Sequence, residues 1–173
     1  MHRPIITVNN IPMTIRELMN ENMIEIGAEL YSKDEALEEL IRLQKKSGMI
    51  HNPRALKREI AARERKGNTA AGYRIAISDV AHSGSAKTAV SAVTIKDGID
   101  YGAPDRRKVK LIFMIAGKSG SDEHIKVKAQ LQKLLSDPAF TAQLCSAPDQ
   151  KAFLTMIDHK ENRHIILSSN KTL

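Results

Sequence analysis

The chain has no tryptophan, and Phe and Tyr together supply only three residues each. Its core therefore cannot rest on aromatic stacking and must be assembled from Ile, Leu, Val, Met and Ala. Cysteine is nearly absent: Cys145 stands alone, which excludes an internal disulfide and points to a reducing compartment. Long apolar runs are missing too. The most apolar stretch, "LIFMIAG" from Leu111 to Gly117, is far shorter than the roughly 20 residues a membrane-crossing helix needs. The first residues, "MHRPIITVNNIP", lack an apolar core before a small-residue cleavage site, so no signal peptide is expected. These absences predict a cytoplasmic, soluble protein. There is also no Walker loop, no dinucleotide fingerprint and no nucleophile elbow, which argues against a plain metabolic enzyme. His159 and His164 share no ligand spacing with Cys145, and His2 and His51 are isolated, so neither a metal nor a cofactor is expected.

What the chain does have is 173 residues, 42% of them hydrophobic, enough for one α/β domain with a proper core. The net charge is +7, densest in "RALKREIAARERK", Arg54 to Lys66. Such a basic helix suits a nucleic acid, an anionic membrane surface or an acidic protein face, and its simplest reading is a solvated surface. Few aromatics for base stacking and no base-reading motif argue against nucleic acid, and the same helix can equally dock an acidic protein face.

Periodicity outlines the elements. "TIRELM" reads as a short helix capped by Thr14, and "MIEI", Met23 to Ile26, as a short strand. "SKDEALEELIRLQKKSG" is the clearest helix: Ser32 caps it, Glu35 completes a capping box, and Ala36, Leu37, Leu40, Ile41 and Leu43 form an apolar stripe. Lys45, Lys46 and Gly48 suit its C-terminal end. A second helix follows from Asn52, with Pro53 at its first position and Gly67 after it. "RIAIS" and "KTAVSAVTI" read as strands, "DGIDYGAPDRRK" as a turn-rich connection, and "VKLIFMIAG", Val109 to Gly117, as a central strand covered on both faces. Ser121 is expected to cap a helix with His124 at its third position and Ile125, Leu131, Leu134 and Leu135 buried. Two short helices, starting near Asp137 and Asp149, close the domain. The expected architecture is α/β, a single-domain sandwich with a mixed sheet flanked by helices on both faces. A domain over 1–158 and a tail over 159–173, either an added strand or free chain, complete the outline.

The segment "RERKGNTAAGYRIAISD", Arg63 to Asp79, resembles the fructose/mannitol-type enzyme IIA domains of the bacterial phosphoenolpyruvate-dependent sugar phosphotransferase system. The likeness runs on through "KTAV", "DGIDYGAPDRRKVKLIFMIAG" and "DEHIKVKAQLQKLLSD", covering about Thr14 to Asp158. It implies an α/β sandwich that takes a phosphoryl group from a small histidine-bearing carrier protein and passes it to a sugar-specific transporter domain. A nitrogen-regulatory branch of the family uses the same domain for control. The resemblance puts His124 at the second active-site histidine, and Arg63 and Thr69 at the arginine and hydroxyl that line the phosphate. It puts Asp79 at the phospho-acceptor itself, where the family has histidine, and Ser78 where it has proline. After Gly72, Tyr73 and Arg74 bring side chains to a link the family leaves bare.

Three readings of the site follow. Asp79 is a fixed carboxylate in a phosphate-shaped pocket, and the domain is a non-relaying, regulatory member. Or His82, three residues on, has taken over as acceptor, against the in-line geometry such a shift would spoil. Or Asp79 accepts phosphate itself, which would ordinarily use Mg²⁺ held by carboxylates such as Asp122 and Glu123.

Overall fold

The computed structural model describes residues 13–85 and 87–169, and the side chains as far as residue 163. A short 3-10 turn, Arg16–Leu18, is followed by a second, Glu21–Met23, and then strand β1, Ile24–Ala28. Helices α1, Lys33–Lys46, and α2, Pro53–Arg65, come next. Strands β2, Ala70–Gly72, β3, Ile75–Ala81, β4, Ala89–Ile99, and β5, Val109–Gly117, complete the sheet. Helices α3, Glu123–Leu134, α4, Pro138–Cys145, and α5, Gln150–Ser169, close the chain.

The sheet is mixed and runs β1-β4-β5-β3-β2. β5 pairs parallel with β3 and antiparallel with β4, so the most apolar strand is also the central one. Both its faces are covered, as its unbroken hydrophobicity requires. On one side Leu111, Phe113 and Ile115 pack with Ile75 and Ile77 against α3, α4 and α5. On the other, Ile112, Met114 and Ala116 meet Leu40, Ile41, Leu56 and Ile60 of α1 and α2. Phe113 and Phe153, with ring centroids 6.0 Å apart, supply the one aromatic pair of the first layer.

The helix signals act as expected at α1 and α2. The Ser32 hydroxyl accepts from the Glu35 amide and the Asn52 side chain from the Ala55 amide. The Glu35 carboxylate reaches Tyr31 N rather than Ser32 N, one residue beyond a strict capping box. Other expectations are corrected. β4 does not stop at Ile95 but runs to Ile99, because an irregularity between Thr94 and Ile99, with Gly98 at φ 69°, absorbs the turn signal inside the strand. Asp122, not Ser121, is the residue before α3, which makes His124 its second residue. Ile125 is 59% exposed: it points away from the sheet, while Val127, Leu131 and Leu134 face it. β2 has too few residues to show a period and was not expected. The chain from His159, expected as strand or free tail, continues α5 as far as Ser169; residues 170–173 lie outside the described residues. Glu161 on that helix accepts from the amides of Ile15 and Arg16, at 2.8 and 2.9 Å, and so ties the N-terminal turn to α5.

Candidate functional site

Strand alternation splits the C-terminal end of β3 between the two helical layers. Ser78 faces α2, where its hydroxyl donates to Glu64 Oε1 at 3.4 Å. Asp79 faces α3 and is 6% exposed. Its Oδ2 accepts from His124 Nδ1 at 2.8 Å and its Oδ1 from Lys128 Nζ at 2.9 Å. Arg63, in the last turn of α2, brings Nε to 3.9 Å from Oδ1, an ionic contact rather than a hydrogen bond. An ionised carboxylate only accepts, so the His124 proton facing it sits on Nδ1, and Nε2 is the ring's remaining polar atom.

Gly117 makes this approach possible. It lies opposite Ala81 in the register, and a Cβ placed on it would stand 2.7 Å from His124 Cβ and 3.2 Å from His124 N. Only a residue without a side chain lets the start of α3 sit this close to the sheet.

Burial pushes the Asp79 carboxyl up, but the hydrogen bonds from Lys128 and His124 outweigh it and hold the group below the ordinary carboxylate range. Asp79 is therefore an anion at neutral pH. Two permanent cations and an imidazole surround it, so the cluster is an anion cradle with a carboxylate of the chain already inside.

The structure brings Asp79, His124 and Arg63 together, and places the other expected residues elsewhere. The Thr69 hydroxyl donates to Glu64 Oε1 at 2.6 Å, and Tyr101 OH lies 2.8 Å from the same Thr69 oxygen. Since Thr69 has one proton, Tyr101 is the donor in that second bond. Burial raises the Tyr101 phenol, which keeps it protonated for the task. Lys33 Nζ is 2.6 Å from Glu64 Oε2 and 4.5 Å from the Tyr101 ring centroid. This network lies behind the cradle, on the α2 face. His82 is also on that face. It is buried, and its Nδ1 lies 2.6 Å from Glu59 Oε2. Ser83 donates to the other oxygen of Glu59 through both its amide and its hydroxyl. Asp122 pairs with Lys126 at 3.5 Å, and Glu123 accepts from Thr88 at 2.6 Å. Among the described residues no group of three or more His, Cys, Asp or Glu side chains is arranged to hold a metal ion.

Sequence reasoning missed Lys128. One signal was available: it lies four residues after His124, the spacing that puts two side chains on one helix face. Glu64 and Tyr101 had no such signal, because sheet packing alone brings α2 against the end of β4.

The family described as "Phosphoenolpyruvate-dependent sugar phosphotransferase system, EIIA 2" matches residues 17–160. The fructose-specific EIIABC component of the PTS system of Bacillus subtilis (strain 168) is 28% identical over 150 residues, 86% of this chain. The chain spans 24% of that protein's length. Among solved structures, the nitrogen regulatory protein IIA-Ntr from Neisseria meningitidis superposes with a TM-score of 0.74 at 22% identity, over 83% of this chain and 98% of that one. Enzyme IIAMTL from Escherichia coli, determined in complex with phosphorylated enzyme IIBMTL, gives 0.70 at 21% identity, over 82% of this chain and 97% of that one.

Proposed function

The chain belongs to the EIIA 2 family of the phosphoenolpyruvate-dependent sugar phosphotransferase system, and from that premise we propose that it is a non-relaying member, a regulatory or protein-binding module. On the resemblance of the Arg63 to Asp79 segment, Asp79 takes the position at which the family has its phospho-acceptor histidine. The observation that carries this reading is the Asp79 carboxylate itself, bonded at both oxygens to His124 and Lys128 with Arg63 beside it.

Relay needs an acceptor with a free lone pair near neutral pH, which a neutral imidazole has. A carboxylate already hydrogen-bonded at both oxygens is a poor nucleophile. Aspartyl phosphorylation ordinarily employs Mg²⁺ held by nearby carboxylates, and Asp122 and Glu123 are engaged with Lys126 and Thr88. His82 is no better placed. Its ring is buried on the opposite face of β3 from His124, and Glu59 holds its Nδ1. Asp79 instead supplies one permanent negative charge where a phosphoryl group would bring about −1.5 to −2. The domain thereby keeps a partial likeness of the phosphorylated state at all times.

Such a module acts by contact. The rim of the cradle carries His124 and the exposed Ile125, a mixed polar and apolar surface suited to a protein face. The candidate partners are the histidine-bearing phosphocarrier, a sugar transporter domain, or a regulated protein in the cytoplasm. No helix among the described residues is long and apolar enough to cross a membrane.

The test is incubation with phosphoenolpyruvate, the first enzyme of the relay and its carrier, followed by intact mass. The parent chain is expected to gain no phosphoryl group. An Asp79→His variant, with imidazole restored between His124 and Arg63, is expected to gain one. Rapid stoichiometric labelling of the parent chain would overturn the reading.

A further inference from the structure

At the end of the sheet away from Asp79, the turn from β2 to β3 consists of Tyr73 and Arg74. Both have left-handed backbones, with φ of 52° and 67°. That two-residue geometry suits Asn-Gly, and a Tyr-Arg pair fills it only under strain. The turn is held rigidly. Arg74 O accepts from the amides of Lys110 and Leu111, at 2.9 and 3.2 Å. The Asp105 carboxylate accepts from the amides of Tyr73 and Arg107, at 3.0 and 3.1 Å.

This frame faces one side of α4 across a cavity of about 430 Å³. Arg74, Arg107 and Lys110 line one wall, and Ala142 and Cys145 of α4 line the other. Among the described residues no carboxylate lies within ion-pair distance of any of the three cations.

We propose that this pocket is a second anion site that binds a small phosphate monoester. Two guanidinium forks and one ammonium match the several oxygens and near-double charge of a phosphate dianion better than the single charge of a carboxylate. The cavity is larger than inorganic phosphate needs and falls within the size range of small-molecule sites. Its second wall, with the Ala142 and Cys145 side chains, and the exposed Tyr73 ring at its mouth give the organic part of an ester something to pack on. The strain at Tyr73 and Arg74 is the cost of aiming both side chains at this pocket. Along β3 the site is about 16 Å from Asp79, at roughly 3.3 Å per residue, and it shares no residue with the cradle.

Cys145 is the chain's one cysteine and sits in the pocket wall, so it reports on occupancy. The full chain is titrated with glucose 6-phosphate, AMP, inorganic phosphate and glucose. Heat of binding and the rate of Cys145 labelling by a maleimide, read as intact mass, are both followed. At least one of the two esters is expected to bind at millimolar concentration or below and to slow labelling severalfold, with glucose inert and inorganic phosphate at least tenfold weaker. Arg107→Gln is expected to weaken ester binding at least tenfold. The paired change Tyr73→Asn and Arg74→Gly separates function from structure: relieving the left-handed strain raises the thermal midpoint, while ester affinity falls at least tenfold. Failure of both esters to bind, equal binding by glucose or by inorganic phosphate, or unchanged affinity in the paired variant would each overturn the proposal.

Discussion

Asp79 and His82 sit three residues apart at the end of β3, and each forms a carboxylate–imidazole pair with the helix it faces. On the α3 side the strand supplies the carboxylate and the helix the imidazole. On the α2 side the roles are reversed. On the α3 side the imidazole is the more exposed member, His124 at 18% against 7% for Asp79, and on the α2 side the carboxylate is, Glu59 at 25% against 2% for His82. Lys128 and Arg63 add cations around Asp79, whereas Glu59 is matched by His82 and by neutral donors from Ser83. The same pair of groups thus does two jobs. Where the imidazole is exposed and positive charge is in excess, the pair is the surface we propose for recognition. Where the imidazole is buried and the charge balanced, it fastens the loop after β3 to α2.

Four changes test that contrast, from the largest expected effect to the smallest. His82→Ala removes a buried ring and leaves Glu59 short of a partner, so it is expected to cost about 3 kcal/mol of stability, read by urea unfolding. Contact between the cradle and a protein partner should be unchanged in the surviving folded fraction. A loss below about 1 kcal/mol would mean that His82 is not the fastener. Asp79→Ala is expected to cost about 1–3 kcal/mol, because Lys128 and Arg63 are only half-buried and water compensates them in part. Its effect on partner binding should exceed its effect on folding, the reverse of His82→Ala.

Gly117→Ala places a Cβ against His124 and is expected to cost about 1–3 kcal/mol as α3 is pushed from the sheet. The Asp79–His124 bond should lengthen more than the His82–Glu59 contact, which feels the change only through the His82 amide that donates to Gly117 O at 2.9 Å; NMR titration of the two rings would show the difference. The smallest effect is that of acid. The carboxyls of Asp79 and Glu59 are both held below their ordinary values, against opposing burial, by hydrogen bonds: from Lys128 and His124 to Asp79, and from Ser83 and His82 to Glu59. A depressed carboxyl contributes stability in full above its unfolded pKa of about 4, and loses that contribution as pH falls through the lower folded value. Stability measured from pH 5 down to pH 2 should therefore fall, and Asp79→Asn should flatten the fall without abolishing it, since Glu59 remains. An unchanged slope in that variant would show that Asp79 does not titrate with folding.

How much of this was legible beforehand differs by region. The caps of α1 and α2 and the course of β5 followed from local chemistry: Ser32 and Asn52 satisfy amides within their own first turns, and a short run, apolar but for Lys110 and too brief for a typical helix, suits a strand covered on both faces. Asp79, His124 and Arg63 were legible as a site through family resemblance, and they meet. Lys128, whose partner is 49 positions away, was signalled only by its place one helical turn after His124. The Glu64–Thr69–Tyr101 network was hidden because it joins α2, the loop after it and the end of β4.

The amino-acid order determined by itself which segments pair their backbones within a turn or along a strand, since those bonds are local and depend on periodicity and caps. It also determined that the chain carries a carboxylate, Asp79, at the end of β3. Which side chains answer that carboxylate, and that His82 turns from it to Glu59, were decided only by tertiary structure. Asp79 within β3 and His82 just after its end lie an odd number of positions apart and face opposite layers, and the partners waiting there come from helices that only packing brings within hydrogen-bonding reach.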